Sequence, residues 1–432
     1  GVRSDSDMHT LGFRFKPWIH DKSIADGPSI MEYLHETVNE NKLNDNILLN
    51  HIVDSANWNS KKSQWELKIN VNNDLKDMTC NFFFLCGGYY SYTKPHMPYF
   101  KNQENFKGQI VHPQFWDESL DYKNKKIAVI GSGATAITIV PAIAEQAEHV
   151  VMIQRSPTYV VSGPSEDVIN KLLRRILSER ITYFLIRWKN ILYQSFTFFM
   201  AKKYPERTKN RILDLAKNEI GVENVNQHFT PSYKPWDQRI CLVPDSDLFN
   251  AINNKKASVV TDTINEFRQD GILLDSGKKI EADIIITATG IELNSLNDIN
   301  VTIDDIKVIA NERLTYKGMM LSGVPNFAIS FGYVNASWTL RADLTCEYVC
   351  RLINLMDKKG VKCCMPVDDK SAYGDDKLID FTSGYFQRGL NQMPKQGNKS
   401  PWKNYQNYIK DIFAVRFKSI EDTNLEFHNP KD

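Results

Sequence analysis

The stretch Lys126-Ile127-Ala128-Val129-Ile130-Gly131-Ser132-Gly133-Ala134-Thr135-Ala136, continued to Pro157, decides the fold. Residues 127–130 are an unbroken apolar run, the pattern of a strand covered on both faces in a parallel sheet. The run enters a Gly-rich turn. Ile137, Val140, Ile143, Ala144 and Ala147 then recur at helical spacing, and Val150-Val151-Met152-Ile153 reads as a second strand ending at Gln154-Arg155.

Strand, Gly-rich turn, helix and strand make one dinucleotide-binding unit of the Rossmann type. Gly131 permits the tight turn out of the strand. Gly133 lets backbone approach a pyrophosphate, and Ala136 takes the small position where helix and strand lie close. The helix start at Ser132, Ala134 and Thr135 offers N–H groups and a positive dipole end to phosphate. A bare Gly-x-Gly-x-x-Gly match is weak, but here both strands and the helix flank it. An NAD site usually places an acid at the end of the second strand. This chain has Arg155 and then Ser156, which favours the 2′-phosphate of NADPH, since a guanidinium pairs with phosphate in a bidentate way. The alternative is a surface Arg at a strand end.

The 432 residues suffice for two or three domains. A hydrophobic content of 42% and a charged content of 24% are those of a globular protein, and a net charge of +1 creates no global field for nucleic acid. Seven Cys at irregular spacing, with no Cys-x-x-Cys, argue against a disulfide framework, a dithiol reductase or a zinc ribbon. No metal-ligand spacing is present. A reducing, cytoplasmic setting fits, and no apolar run approaches the ~18 residues that span a bilayer.

Elsewhere, Gly27-Pro28-Ser29 opens a predicted helix with Ile30, Leu34 and Val38 on one face. Trp65, Leu67, Ile69 and Val71 alternate as in a half-buried strand. Strands are also predicted at 82–86, 282–286 and 326–331, and a helix at 341–356. Residues 165–235 read as a helical insertion in which Lys171, Arg174, Arg175, Arg180, Arg187, Lys189, Lys202 and Lys203 interleave with Leu, Phe, Tyr and Trp. Amphipathic helices covering a cleft are the preferred reading. Peripheral contact with an anionic membrane through residues 171–203 is the other.

Further motifs then converge. Phe106-x-Gly108-x-x-x-His112-x-x-x-Trp116-Asp117 matches the fingerprint of the Baeyer–Villiger monooxygenases, class B flavin monooxygenases, at every defined position. Ala288-Thr289-Gly290 resembles that family's second linker between domains. Gly1-x-Arg3-x-Asp5, Trp236-Asp237-Gln238-Arg239 and Asn335-Ala336-Ser337-Trp338-Thr339-Leu340 look most like its ethionamide-activating branch. The resemblance covers essentially the whole chain. It implies an α/β fold with two Rossmann-like domains, one for FAD and one for NADP, plus a helical insertion. It also implies a small ketone or sulfide substrate and dioxygen. In the family, NADPH reduces FAD, and a C4a-peroxyflavin inserts one oxygen atom beside a ketone carbonyl to give an ester or lactone.

Carried over residue by residue, the resemblance makes Arg239 the active-site arginine and Asp5 the acid that orients it. On the residues alone, a loop-closing salt bridge and a turn would account for them. Thr289, Gly290, Asn335, Trp338, Thr339 and Leu340 become cofactor-binding positions, and His112 a coupler between domains rather than an acid or base. Gln238 stands where many relatives carry a Lys for the 2′-phosphate, which leaves more of the NADP preference to Arg155. No second Gly-x-Gly-x-x-Gly occurs. The expectation is an FAD domain truncated at its N-terminus, with FAD poorly held. The implied division is 1–118 and 294–432 for the FAD domain, 119–164 and 236–293 for the NADP domain, and 165–235 for the insertion. The competing readings are a sulfur- or nitrogen-oxygenating flavin monooxygenase and an inactive NADP-binding fragment.

Overall fold

Five strands with almost wholly aliphatic interiors build the sheet at the centre of one of two units. The computed structural model describes residues 3–374, 378 and 381–430, so Gly1 of the first motif lies outside the described residues. The first unit takes residues 1–9, 17–34 and 94–291; the second takes 10–16, 35–93 and 292–432.

In the first unit the strand order is Ala257–Thr261, His149–Gln154, Lys126–Ile130, Ile284–Thr287, Gln109–Val111, and every pairing is parallel. Ile127, Ala128, Val129 and Ile130 are all buried, as the apolar run predicts for a strand covered on both faces. Ile127 pairs with Val150 and Val129 with Met152. The Ala134–Ala144 helix buries Ile137, Val140, Ile143 and Ala144 against them. From the Lys126–Ile130 strand the order runs outward in both directions. The crevice between it and the Ile284–Thr287 strand is therefore a topological switch point, where α/β sheets bind ligands. Phe106 joins Phe267, Ile272, Leu274 and Ile285 in a separate apolar cluster.

Residues 165–230 form four helices: Val168–Leu173, Glu179–Lys203, Pro205–Ile220 and Val222–His228. Asp167 caps the first by accepting from the N–H groups of Ile169 at 2.9 Å and Asn170 at 3.1 Å. Pro205 suits the first position of the third, where its missing N–H costs nothing. Ile212, Leu213, Ala216 and Ile220 of that helix join the same core as the central sheet.

In the second unit, a sheet ordered Ile306–Lys307, Asn300–Ile303, His51–Asn59, Gln64–Val71, Asp74–Cys80 covers an aromatic core. Trp58 and Trp65 are fully buried and meet edge to face at 5.7 Å, and Phe83 and Phe327 pack against Trp65. Phe83–Leu85 and Phe327–Ile329 form a parallel pair. The Trp338–Lys359 helix carries a buried ion pair, Arg341 to Asp411 at 3.0 Å, and the Tyr333 hydroxyl donates to the same carboxylate at 2.6 Å.

Several sequence expectations shift: the strands predicted over 282–286 and 326–331 run Ile284–Thr287 and Phe327–Ile329. The helix predicted over 341–356 begins at Trp338 and ends at Lys359. The strand predicted over 82–86 shortens to Phe83–Leu85. In the Gly27–Glu40 helix, Tyr33 and Thr37 are buried while Leu34 is exposed, because the Tyr33 ring packs edge-on against Trp18 at 5.5 Å.

Candidate functional site

The Gly-rich turn opens at the switch point. Gly131 has φ +139°, and a Cβ there would lie 2.3 Å from the carbonyl oxygen of Ala288 on the neighbouring strand's exit. Only glycine fits. At Gly133 a Cβ would meet nothing within 4 Å. That glycine therefore does not serve internal packing; its bare backbone faces open space at the first turn of the Ala134–Ala144 helix. No side chain caps this helix, and Gly133, Ala134 and Thr135 are exposed while Ala136 is wholly buried against the sheet. The Ser132 hydroxyl donates to the Ser156 carbonyl at 3.0 Å and ties the turn to the end of the second strand.

Arg155 is exposed one residue beyond the His149–Gln154 strand, and its side chain has no hydrogen-bond or ion-pair partner among the described residues. The preceding Gln154 is buried and donates to the carbonyl of His228 at 2.6 Å and to Thr261 at 2.9 Å. Burial is thus satisfied by a neutral amide, while the exposed Arg155 precedes Ser156, whose carbonyl is tied to the Gly-rich turn. This cradle of N–H groups with an adjacent unpaired cation suits a phosphorylated dinucleotide.

Within the same unit the structure brings Arg239 and Asp5 together at 2.6 Å. The loop carrying Arg239 is fixed at two adjacent points. Trp236 has φ +68°, a strained conformation for a bulky residue, and its ring meets Phe198 edge to face at 5.4 Å. Asp237 pairs with Lys202 at 3.0 Å. Both anchors lie on the Glu179–Lys203 helix. Asp5 is held by its own segment: Arg3 pairs with Asp247, while Asp7 accepts from Asn190 and Gln194, both at 2.8 Å. Asp7 and Asp247 were not singled out from the sequence, and Lys202 was read only as part of the basic, amphipathic helical face, not as the partner of Asp237. The spacing Arg3-x-Asp5-x-Asp7 was the available signal. Cys241, two residues past Arg239, is buried, and its thiol is pushed up to about 11 by that burial.

The fingerprint residues mostly build the unit itself. Phe106 is a core residue. Gly108 is required because a Cβ would lie 2.0 Å from the Asp283 carbonyl. Trp116 packs on the central core and meets Tyr122 edge to face at 6.4 Å. Asp117 is exposed and accepts from the N–H and hydroxyl of Ser119, which hold its carboxyl below the usual range. His112 is buried. Its Nδ1 accepts from the Gln114 N–H at 3.2 Å, which leaves the Nε2–H to donate to the Gly290 carbonyl at 3.2 Å. This fixes a neutral tautomer, and burial lowers its pKa. The same carbonyl accepts from the His96 N–H at 3.3 Å, and the Thr289 hydroxyl donates to the His96 carbonyl at 2.6 Å. His112, Thr289 and Gly290 therefore form one knot at the exit of the Ile284–Thr287 strand.

In the second unit, Asn335 donates to the Gln406 carbonyl at 3.1 Å, and Leu340 is buried in the core. Trp338 lies against Tyr89 at 4.8 Å and Tyr90 at 6.0 Å, over Gly332, where a Cβ would come within 2.2 Å of the indole. Thr339 is half-buried in the first helical turn. The Ser337 side chain pairs with Thr10 at 2.5 Å and makes no cap, so the first turn keeps its N–H groups uncapped by that side chain.

The model of one protein family, described as flavin-binding monooxygenase-like, matches residues 20–337. The chain belongs to this family. It is 47% identical to "FAD-containing monooxygenase EthA" of Mycobacterium tuberculosis over 99% of this chain and 88% of that protein. It is 45% identical to "Probable FAD-binding monooxygenase AlmA" of an Acinetobacter species over 99% of this chain and 87% of that protein. Among solved structures, an oxidized steroid monooxygenase bound to NADP superposes with TM-score 0.78 at 19% identity, covering 99% of this chain and 91% of that one. Cyclohexanone monooxygenase from a Rhodococcus species bound to NADP+ gives 0.77 at 17%, covering 99% and 90%. The mixed α/β fold is that of these structures, and the chain is an enzyme of the flavin monooxygenase class.

The residues present fit a flavin monooxygenase's two cofactors unequally. The open cradle at Gly133 and the unpaired Arg155 fit a nicotinamide dinucleotide phosphate. In the second unit, the first turn of the Trp338–Lys359 helix has no side-chain cap, and its positive dipole end would suit an electron-rich group of the flavin. Among the described residues, the strand–Gly-rich turn–helix that cradles a pyrophosphate occurs at 126–144 and is not repeated in the second unit.

Proposed function

We propose that this flavin monooxygenase uses NADPH to insert one atom of dioxygen beside a ketone carbonyl. The balance is ketone, dioxygen, NADPH and a proton giving ester or lactone, NADP+ and water. The first unit is read as holding nearly all of the NADP domain, 119–164 and 236–293, with its helical insertion, 165–235, and the second as holding most of the FAD domain, of which 1–9, 17–34 and 94–118 group with the first unit instead. Bound flavin supplies the electron transfer from NADPH and the activation of dioxygen.

The chain's own residues bind, hold and polarise. Residues 131–136 and Arg155 would hold the pyrophosphate and 2′-phosphate. Asp5 fixes Arg239, whose permanent charge would stabilise negative charge developing on oxygen as the atom is transferred. His112, held neutral with both ring nitrogens engaged, acts as a fastener and not as a proton donor. The observation that carries the reading is the Arg239–Asp5 pair, because it places a fixed cation on a loop braced by the strained Trp236 and by Lys202. The Phe106–Asp117 motif directs the choice toward ketones.

The test presents the protein, supplied with FAD and NADPH, with a cyclic ketone and with an aryl methyl sulfide in parallel. Lactone formation supports the reading. Sulfoxide formation with no lactone would replace it by sulfur oxygenation.

A further inference from the structure

The Glu179–Lys203 helix has two opposite faces. Thr182, Tyr183, Ile186, Arg187, Ile191 and Ala201 are buried in the first unit. Ile181, Phe184, Leu185, Leu192, Phe196 and Phe199 point the other way, and each is between 42% and 61% exposed. At 100° per residue these six fall within one stripe along a helix of about 37 Å. Together they expose on the order of 500 Å² of apolar surface, toward the upper end of the ~300–600 Å² that is usual for a monomer's largest patch.

The charge around the stripe is one-sided. Residues 168–204 hold eight Lys and Arg and one acid, Glu179. Lys171, Arg174, Lys189 and Lys202 have acidic partners, and Arg187 is buried, donating to the His9 carbonyl at 2.7 Å. Arg175, Arg180 and Lys203 have no acidic partner among the described residues, and all three are exposed. Arg175 and Arg180 lie toward one end of the stripe. Lys203 lies at the other, its ammonium 5.7 Å from the Phe199 ring centre.

We propose that this face is a peripheral docking surface for an anionic lipid membrane, with the helix lying in the plane of the interface. Phenyl and aliphatic groups would enter the acyl boundary while the flanking cations meet lipid phosphates and carboxylates. A second copy is disfavoured because two such faces would set basic clusters against each other. An acidic protein groove would need complementary shape, whereas a lipid surface accepts a convex stripe without it. Among the described residues no helix is long and apolar enough to cross a membrane, so the contact is one of lying on the bilayer.

The test is sedimentation of the whole protein with phosphatidylcholine vesicles and with vesicles of equal parts phosphatidylcholine and phosphatidylserine. Three proteins are compared: wild type, Phe184→Ser/Phe196→Ser/Phe199→Ser, and Arg175→Glu/Arg180→Glu/Lys203→Glu. NADP+ binding monitors folding. Wild type should bind the anionic vesicles preferentially and lose binding at high salt. Each variant should bind at least about tenfold more weakly, through lost apolar burial in one and lost charge in the other. Equal binding to both vesicle types, no binding, or unchanged binding by either folded variant would overturn the proposal. Self-association abolished by the Phe substitutions, without vesicle binding, would assign the face to a second copy instead.

Discussion

The Arg239 guanidinium donates to the Asp5 carboxylate at 2.6 Å across 234 positions of sequence. Asp5 is about half exposed, so as a stabilising ion pair it is worth little, roughly 0–1 kcal/mol. Its consequence is positional. Asp5→Asn should therefore leave the melting temperature within a few degrees of wild type, yet lower turnover of a ketone by at least about tenfold at unchanged NADPH affinity. A parallel loss of melting temperature and turnover would make the pair a structural clasp only.

Arg155→Ala should weaken NADPH binding far more than NADH binding. One charge-assisted contact is worth roughly 1.5–3 kcal/mol, which is at least about tenfold in affinity. Fluorescence titration with both nucleotides measures the ratio. Equal losses would place the 2′-phosphate elsewhere.

Gly131 and Gly133 should separate folding from binding. Gly131→Ala forces a Cβ to 2.3 Å from a backbone carbonyl in a left-handed conformation, so it should cost several kcal/mol, on the order of 2–4, and lower the melting temperature sharply. Gly133→Val meets no protein atom and should melt near wild type, but block NADP+ binding. Normal nucleotide affinity in the Val variant would show that the open space is not the nucleotide's.

His9, His112 and His228 are all held below the ordinary histidine value, chiefly by burial. A histidine with a depressed folded pKa binds fewer protons folded than unfolded. Its contribution is therefore present above the unfolded value near 6.5 and is lost as pH falls below it. Urea melts from pH 7.5 down to 5 should show falling stability below about pH 6.5. His112→Gln can keep the donor to Gly290 without titrating, and should reduce that slope by up to about 1.4 kcal/mol per pH unit. An unchanged slope would contradict the buried neutral assignment.

The dinucleotide unit was legible because its signals are local: an apolar run, two glycines, a helical period and a strand fall within about one βαβ length. The clash that makes Gly131 obligatory, by contrast, is with Ala288, far away in sequence, and only the assembled sheet reveals it. Arg239 was legible only through the resemblance, since nothing local links it to Asp5. The left-handed Trp236 and its Lys202-braced neighbour arise from packing against a distant helix, and propensity carries no trace of such contacts. Trp338 shows the same limit. Its motif is plain, but its place among Tyr89, Tyr90 and Gly332 depends on the assembled core.

The most direct measurement supplies the protein with FAD, NADPH, a cyclic ketone and isotopically heavy dioxygen, and follows both NADPH consumption and product. The account predicts a lactone carrying one heavy oxygen atom, formed in proportion to NADPH used, and NADPH consumption without lactone in Arg239→Ala. An unlabelled lactone, or lactone from Arg239→Ala at the wild-type rate, would contradict it.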